Sequence, residues 1–164
     1  MKKIMLTAVA VFGFAFANAQ DGGLKLGAHV GLPTGDIKDS YSLNLGVDAV
    51  YTWKVADNFE AGVGTGYSHY FGESVDVGFF SFDIEDFSVI PVYGTAQYSL
   101  SKNFFFGLDL GYALAVAPSG SEGGFLYQPK VGYSFGQTEL FLGYKGISNN
   151  GTLSSLNLGV AFKL

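Results

Sequence analysis

Two histidines, His29 and His69, are the side chains with the widest chemical reach in this chain, which has no Cys and no Arg. Nucleophilic catalysis needs a hydroxyl or thiol, a base within hydrogen-bond reach and a third group that orients the base. The missing Cys removes thiol chemistry, disulfides and Cys-ligated metal sites. Ser88, His69 and Asp86 are the right types for a hydroxyl nucleophile, a base and an orienting acid. They form no local motif, so only strand pairing can bring them together. Glu73, Asp76, Asp83, Glu85 and Asp86 are carboxylates of the kind that suit Ca²⁺, but the spaced D-x-D-x-D-G loop is missing. Gly62-x-Gly64-x-Gly66 opens no helix and is not a phosphate loop. Acids outnumber lysines 14 to 9, which is no basic face for nucleic acid. No cofactor is expected.

The segments that must position these residues have two kinds of pattern. Residues 1–19 read as a signal peptide. Lys2 and Lys3 precede a largely apolar run over 4–16, and Ala17-Asn18-Ala19 offers a small-x-small cleavage pattern. That run is too short to cross a bilayer as a helix. The domain proper is expected over 20–164. Charged residues are only 14% of the chain, aromatics are 16% and glycines number 24, a balance that favours all-β structure.

From residue 24 onward the chain alternates with period two, the mark of a strand whose two faces meet different surroundings. Eight strands are predicted, over 24–32, 43–54, 59–71, 90–100, 104–115, 125–135, 139–147 and 154–164. Their apolar faces are nearly free of charge, as in Leu43, Leu45, Val47, Ala49, Tyr51 and Trp53. Their other faces are mostly Gly, Ser, Thr and Asn, a poor solvated surface and a good filling for a narrow lumen. Connections alternate too. They are short at 55–58, 101–103 and 136–138, and longer after the first, third, fifth and seventh strands. Short turns on one side and long loops on the other fit an outer-membrane barrel with both termini in the periplasm. Aromatics fall towards both strand ends, as girdles at two membrane–water boundaries would.

With these eight segments, the leader and the C-terminal Asn157-x-Gly159-x-x-Phe162-x-Leu164, the chain resembles the small bacterial outer-membrane β-barrel proteins of the OmpA/OmpX type, without a C-terminal peptidoglycan-binding domain. The resemblance implies an eight-stranded antiparallel up-and-down transmembrane barrel, porin-like in architecture, with outer-membrane lipid and lipopolysaccharide around it. It also implies that Asn157, Gly159, Phe162 and Leu164 are an assembly signal for the barrel-assembly machinery. The final Leu replaces the commoner Phe.

Inside such a barrel, Asp48, Glu60, Asp109 and Glu139 are expected to pair with Lys25, Lys54, Lys130, Lys145 and Lys163, because a lone buried charge is costly. His29 falls on the same face. Segment 72–86 keeps its phase, so the third and fourth strands are expected to run on as a hairpin turning near Gly78-Phe79. Glu73, Val75 and Val77 continue one strand's outward face, and Phe80, Phe82 and Ile84 the other's, with Asp76, Asp83, Glu85 and Asp86 adding charge. Such a hairpin offers an extracellular protein partner an edge or an apolar patch. The expected role is therefore structural or adhesive, through the loops, with a plugged lumen and no catalysis. The alternatives are a narrow pore, a lipid-modifying enzyme and a soluble periplasmic lipocalin-like binding barrel. His69 bears on the enzyme alternative, since some outer-membrane barrels that act on lipid A are similar in carrying a His/Ser pair.

Overall fold

The computed structural model describes residues 22–38, 40–77 and 80–164, with the side chains of Asp36 and of 75–82 outside that description. The expected leader and the expected turn at Gly78-Phe79 lie outside the described residues, as do the side chains of Val75, Asp76, Val77, Phe80 and Phe82.

Alternation becomes strand wherever it was strong. The strands are β1 Gly22–Thr34, β2 Tyr41–Ala56, β3 Phe59–Gly72, β4 Ser74–Val77, β5 Phe80–Asp83, β6 Phe87–Ser99, β7 Phe104–Ala117, β8 Gly124–Phe135, β9 Thr138–Ser148 and β10 Thr152–Lys163. Eight of them form one closed barrel in the order β1-β10-β9-β8-β7-β6-β3-β2. Every pairing is antiparallel, and β1 closes the ring on β10 from Lys25↔Lys163 to Thr34↔Ser154. Closure leaves no edge of the eight-stranded sheet unpaired, which hydrocarbon surroundings demand.

The second sheet is β4 paired with β5, from Ser74↔Asp83 to Val77↔Phe80. This is the expected hairpin, but it is not a continuation of the barrel strands. Glu73 and 84–86 interrupt it, so it forms a separate ribbon. The Ile84 N–H bonds the Glu73 carbonyl at 3.1 Å, and the Gly72 N–H bonds Asp86 Oδ1 at 2.9 Å. A side chain has taken the place of a ladder partner at the neck, which period-two reading cannot register.

The loop rule holds at three of four places. Connections of 35–40, 73–86 and 118–123 lie at one end of the barrel, and 57–58, 100–103 and 136–137 at the other. The fourth long loop is not long. β9 and β10 pair as far as Ser148↔Thr152, leaving 149–151 as the turn.

Glycine has a packing reason on the inner face. Several large inward side chains lie across a glycine of the neighbouring strand. Phe105 covers Gly132, Phe141 covers Gly159, Tyr93 covers Gly64 and His29 covers Gly46. A Cβ at Gly159 would run into the Phe141 ring. Gly159→Leu is therefore expected to destabilise the barrel by about 1–3 kcal/mol through overpacking, measured by urea unfolding in detergent micelles. An unchanged midpoint would show that Phe141 moves aside freely.

Candidate functional site

Three layers of paired charge and one of neutral polar groups fill the lumen. Nearest the short turns, Lys25 on β1 reaches across to three strands that are not its neighbours. Its Nζ lies 3.0 Å from Glu60 Oε2 on β3, 3.3 Å from Gln97 Oε1 on β6 and 3.1 Å from Glu139 Oε1 on β9. Lys163 adds a second ammonium, 3.0 Å from Glu139 and 3.8 Å from Glu60. The next layer is Lys130 on β8, 2.8 Å from both carboxylate oxygens of Asp109 on β7, with the Thr95 hydroxyl donating to the same acid. Lys130 also stands 5.7 Å above the Phe141 ring. The third layer joins His29 Nδ1 to Asp48 Oδ2 at 2.7 Å. Lys145 Nζ lies 2.9 Å from His29 Nε2 and donates to Ser68 Oγ at 3.1 Å. An ammonium beside Nε2 leaves the ring proton on Nδ1, facing Asp48.

Three lysines thus meet three carboxylates, Lys25 and Lys163 at Glu60 and Glu139 and Lys130 at Asp109. Asp48 pairs with His29, and Lys145, expected to meet an acid, meets His29 and Ser68 in its place. Lys54, expected among the lumen lysines, stands apart. It pairs with Asp57 at the short turn, where both are exposed. Residue parity reports which face a side chain takes and not how deep it lies. The central cavity, lined by Lys25, Asp48, Tyr93, Gln97, Asp109 and Lys130 among others, is about 40 Å³. Towards the long loops the fill becomes neutral, with Asn44, Asn157, Ser155 and Tyr70 all fully buried. Asn44 Oδ1 and both polar atoms of the Asn157 side chain have no partner among the described residues. A polar site of this kind takes ordered water. Asn157 and Gly159 therefore face the lumen, while Phe162 and Leu164 of the same segment are exposed outside.

A second constellation sits on the outer face near the long loops. β3–β6 pairing puts His69 directly opposite Ser88. His69 Nδ1 lies 2.8 Å from Ser88 Oγ, and its Nε2 lies 3.2 Å from Asp86 Oδ2. The Tyr67 hydroxyl donates to Ser88 Oγ at 3.0 Å. Phe71 meets the His69 ring edge-on at 4.5 Å between centroids.

The polarity of the two faces decides what surrounds the molecule. Buried residues include Lys25, Gln97, Asp109, Gln128, Glu139, Lys145 and Asn157. The exposed ones include Leu26, Val30, Leu45, Val47, Val92, Phe106, Leu110, Leu142 and Leu158, at 41–57% of their surface. A water-soluble barrel has the opposite arrangement. This is a transmembrane β-barrel. No described helix is long and apolar enough to cross a membrane, so crossing belongs to the strands.

Known structures share this transmembrane fold. The Yersinia pestis outer membrane protein Ail, in a phospholipid bilayer nanodisc, matches with a TM-score of 0.56 and 17% identity, over 88% of this chain and 100% of that one. A de novo designed barrel, TMB2.3, gives 0.58 and 14% identity over 88% and 97%. Ail, the attachment invasion locus protein, in complex with the heparin analogue sucrose octasulfate, gives 0.52 and 11% identity over 87% of this chain and 97% of that one. No family model and no curated protein sequence matches the chain.

Three lumen-filling residues escape sequence reading. Tyr70, Phe105 and Phe141 point inward, beside the Tyr93 that its phase already places there, although aromatics in a membrane barrel invite an outward placement. Their phase carries the signal. Each stands in step with the polar residues of its strand.

Proposed function

We propose that this protein is an outer-membrane barrel of the bacterial envelope that is closed to solutes and presents its long loops to a cationic partner outside the cell. The barrel domain, 20–164, follows removal of a 1–19 leader, and both termini lie in the periplasm. Phe162 and Leu164, exposed on the last strand, are offered to the barrel-assembly machinery. The single observation that carries the binding role is the separate β4–β5 ribbon standing off the closed barrel.

Charge distribution supports the sign of the partner. Asp48, Glu60, Asp109 and Glu139 are balanced in the lumen by Lys25, Lys130, Lys145 and Lys163. Lys54 and Lys102 stand with Asp57 at the short turns. The long loops keep Asp36, Asp39, Glu73, Asp76, Asp83, Glu85, Asp86 and Glu122 against Lys38 alone. The net charge of the domain therefore sits at one end. Ail takes a polysulfated ligand. These loops have the opposite requirement, since a polyanion would meet like charge. Lipopolysaccharide, itself anionic, then surrounds the loops and does not occupy them.

Closure of the lumen is supported by the charge layers and the small central cavity. Eight strands leave little room beyond side chains. Planar-bilayer recording on refolded protein is expected to give no large, steady channel, and such a channel would remove the closed-lumen reading. The binding role is tested on cells displaying the full chain. Glu73→Lys, Asp83→Lys and Glu85→Lys together should abolish capture of a fluorescent basic peptide and leave the heat-dependent shift of the folded band intact. Unchanged capture by the triple variant, or by a chain lacking 73–85, would overturn it.

A further inference from the structure

Sequence reading expects no catalysis, because the spacing of Ser88, His69 and Asp86 could not be fixed without a register. The register now brings them into line on the membrane-facing surface of β3 and β6. We propose that Ser88, His69 and Asp86 form a serine-hydrolase site that cleaves an acyl ester of a membrane lipid, with the Tyr67 hydroxyl as oxyanion donor.

Each group is placed for its part. The Tyr67 O–H donates to Ser88 Oγ, so the Ser88 proton is free to point at His69 Nδ1, 2.8 Å away. His69 then carries its own proton on Nε2, the nitrogen 3.2 Å from Asp86 Oδ2. Asp86 is itself held, since its other oxygen accepts the Gly72 N–H at 2.9 Å. A base oriented by a carboxylate and bonded to a hydroxyl is the arrangement acyl transfer needs. The stacked Tyr67 and the edge-on Phe71 fix the imidazole from two sides.

The substrate class follows from location. Ser88 lies on the outward face, one step along from the exposed Ile90 and beside the exposed Tyr67 and Phe71. Asp86 is half exposed, on the water side of the same cluster. The site therefore straddles the level where apolar surface gives way to polar loops. In a bilayer that level holds the ester carbonyls of the lipids, with acyl chains below and head groups above. Ser88 is 2% exposed in this state. A carbonyl oxygen reaches it by taking over the Tyr67 hydroxyl bond, which moves that donor from Ser88 Oγ to the developing oxyanion.

The steps balance. Ser88 Oγ bonds to the ester carbon, its proton passes to His69 Nδ1, and the carbonyl π pair moves onto oxygen. Collapse breaks the bond to the lipid alkoxide, which takes the proton from His69. Water then attacks the acyl-Ser88 ester, giving a proton to His69. The second collapse releases the fatty acid, and Ser88 recovers its proton from His69.

The test uses the full chain refolded in detergent micelles, with a fluorescent fluorophosphonate as probe. Covalent labelling of the folded band is expected, absent in Ser88→Ala and reduced about 10²–10⁴-fold in rate in His69→Gln. Tyr67→Phe keeps the ring and removes the donor. It should still be labelled, while p-nitrophenyl palmitate hydrolysis falls about 10²–10³-fold. Fatty-acid release from phosphatidylethanolamine vesicles, against release from purified lipid A, identifies the lipid. Unlabelled protein with a normal heat shift, or labelling that survives in Ser88→Ala, would overturn the proposal. If Ser88→Ala fails to fold, His69→Gln and Tyr67→Phe decide it through the split between labelling and turnover. The loop-binding reading does not depend on the result.

Discussion

Alanine in place of Lys25 is expected to cost the folded barrel about 3–5 kcal/mol, the range for removing one partner of a buried ion pair. The ammonium is 6% exposed and holds Glu60, Gln97 and Glu139 at 3.0–3.3 Å. Without it, Glu139 keeps Lys163 and the Gln97 amide at 3.3 Å, and Glu60 keeps a 3.8 Å contact with the same lysine and the Thr52 hydroxyl at 3.4 Å. Two carboxylates, of which Glu139 is buried, then share one partly exposed cation. Trp53 is the one tryptophan of the chain and reports unfolding in a urea series. A midpoint lower by roughly 1 M or more is expected. Lys54→Ala is the matched control, because its partner Asp57 is solvent-exposed, and it should leave the midpoint unchanged. Adding Glu139→Gln to Lys25→Ala should recover part of the loss, since the penalty is an unpaired charge and the two sites share one network. A Lys25→Ala loss below 1 kcal/mol would mean that water enters the lumen freely enough to solvate both acids.

Gly111→Val is expected to prevent closure of the barrel. A Cβ at Gly111 would collide with the Val92 carbonyl oxygen and stand 2.5 Å from Tyr93 Cα and 2.7 Å from Tyr93 Cβ. Two of those atoms are backbone of β6, the strand β7 must pair with through Tyr93↔Gly111. Relief would require β6 and β7 to separate, and a closed ring has no free edge along which to relax. Overpacking usually costs about 1–3 kcal/mol, more where backbone must move. Gly94, on the opposite face of the same strand pair, supplies the contrast. Its nearest atoms to an added Cβ are 3.9 Å away. Gly94→Ala should keep the heat-dependent gel shift, and Gly111→Val should lose it. Equal shifts in both would show that the close approach of β6 and β7 is not needed for folding.

How much of this was legible without coordinates follows from what period two encodes. It encodes face, so the eight barrel strands and the polar lumen could be read from residues such as Leu43–Tyr51 and Asn44–Thr52 alternately. Depth is not encoded, and Lys54 was therefore grouped with charges it never meets. Nor does it tell which strands meet across the lumen. Lys25 finds β3, β6 and β9, and none of these is its ladder neighbour. Side-chain size adds a further ambiguity. Tyr93 stood in the polar phase, yet only the glycine at 64 on the adjacent strand explains how its ring fits. The line of Ser88, His69 and Asp86 depended on a single number, the register of β3 on β6. The ribbon between those strands hid it, because an interrupted hairpin of unknown length leaves the offset open.

Lys25 also constrains the order of assembly. It sits on the first strand of the barrel, but its partners arrive 35, 72 and 114 residues later. The ladder can grow one hairpin at a time. The interior cannot, because the Lys25 layer joins β1 to β3, β6 and β9 and Lys145 on β9 joins β1 and β3, while Lys130–Asp109 alone is complete within one hairpin. A half-built barrel would hold lysines and carboxylates facing an open, wet gap, where their attraction is weak. Only the meeting of β1 with β10 encloses the lumen and brings the Lys25 and Lys145 layers together. The ring therefore behaves like an arch whose first stone is also its keystone, and loss of the seam between those two strands should release the Lys25 and Lys145 layers in one step.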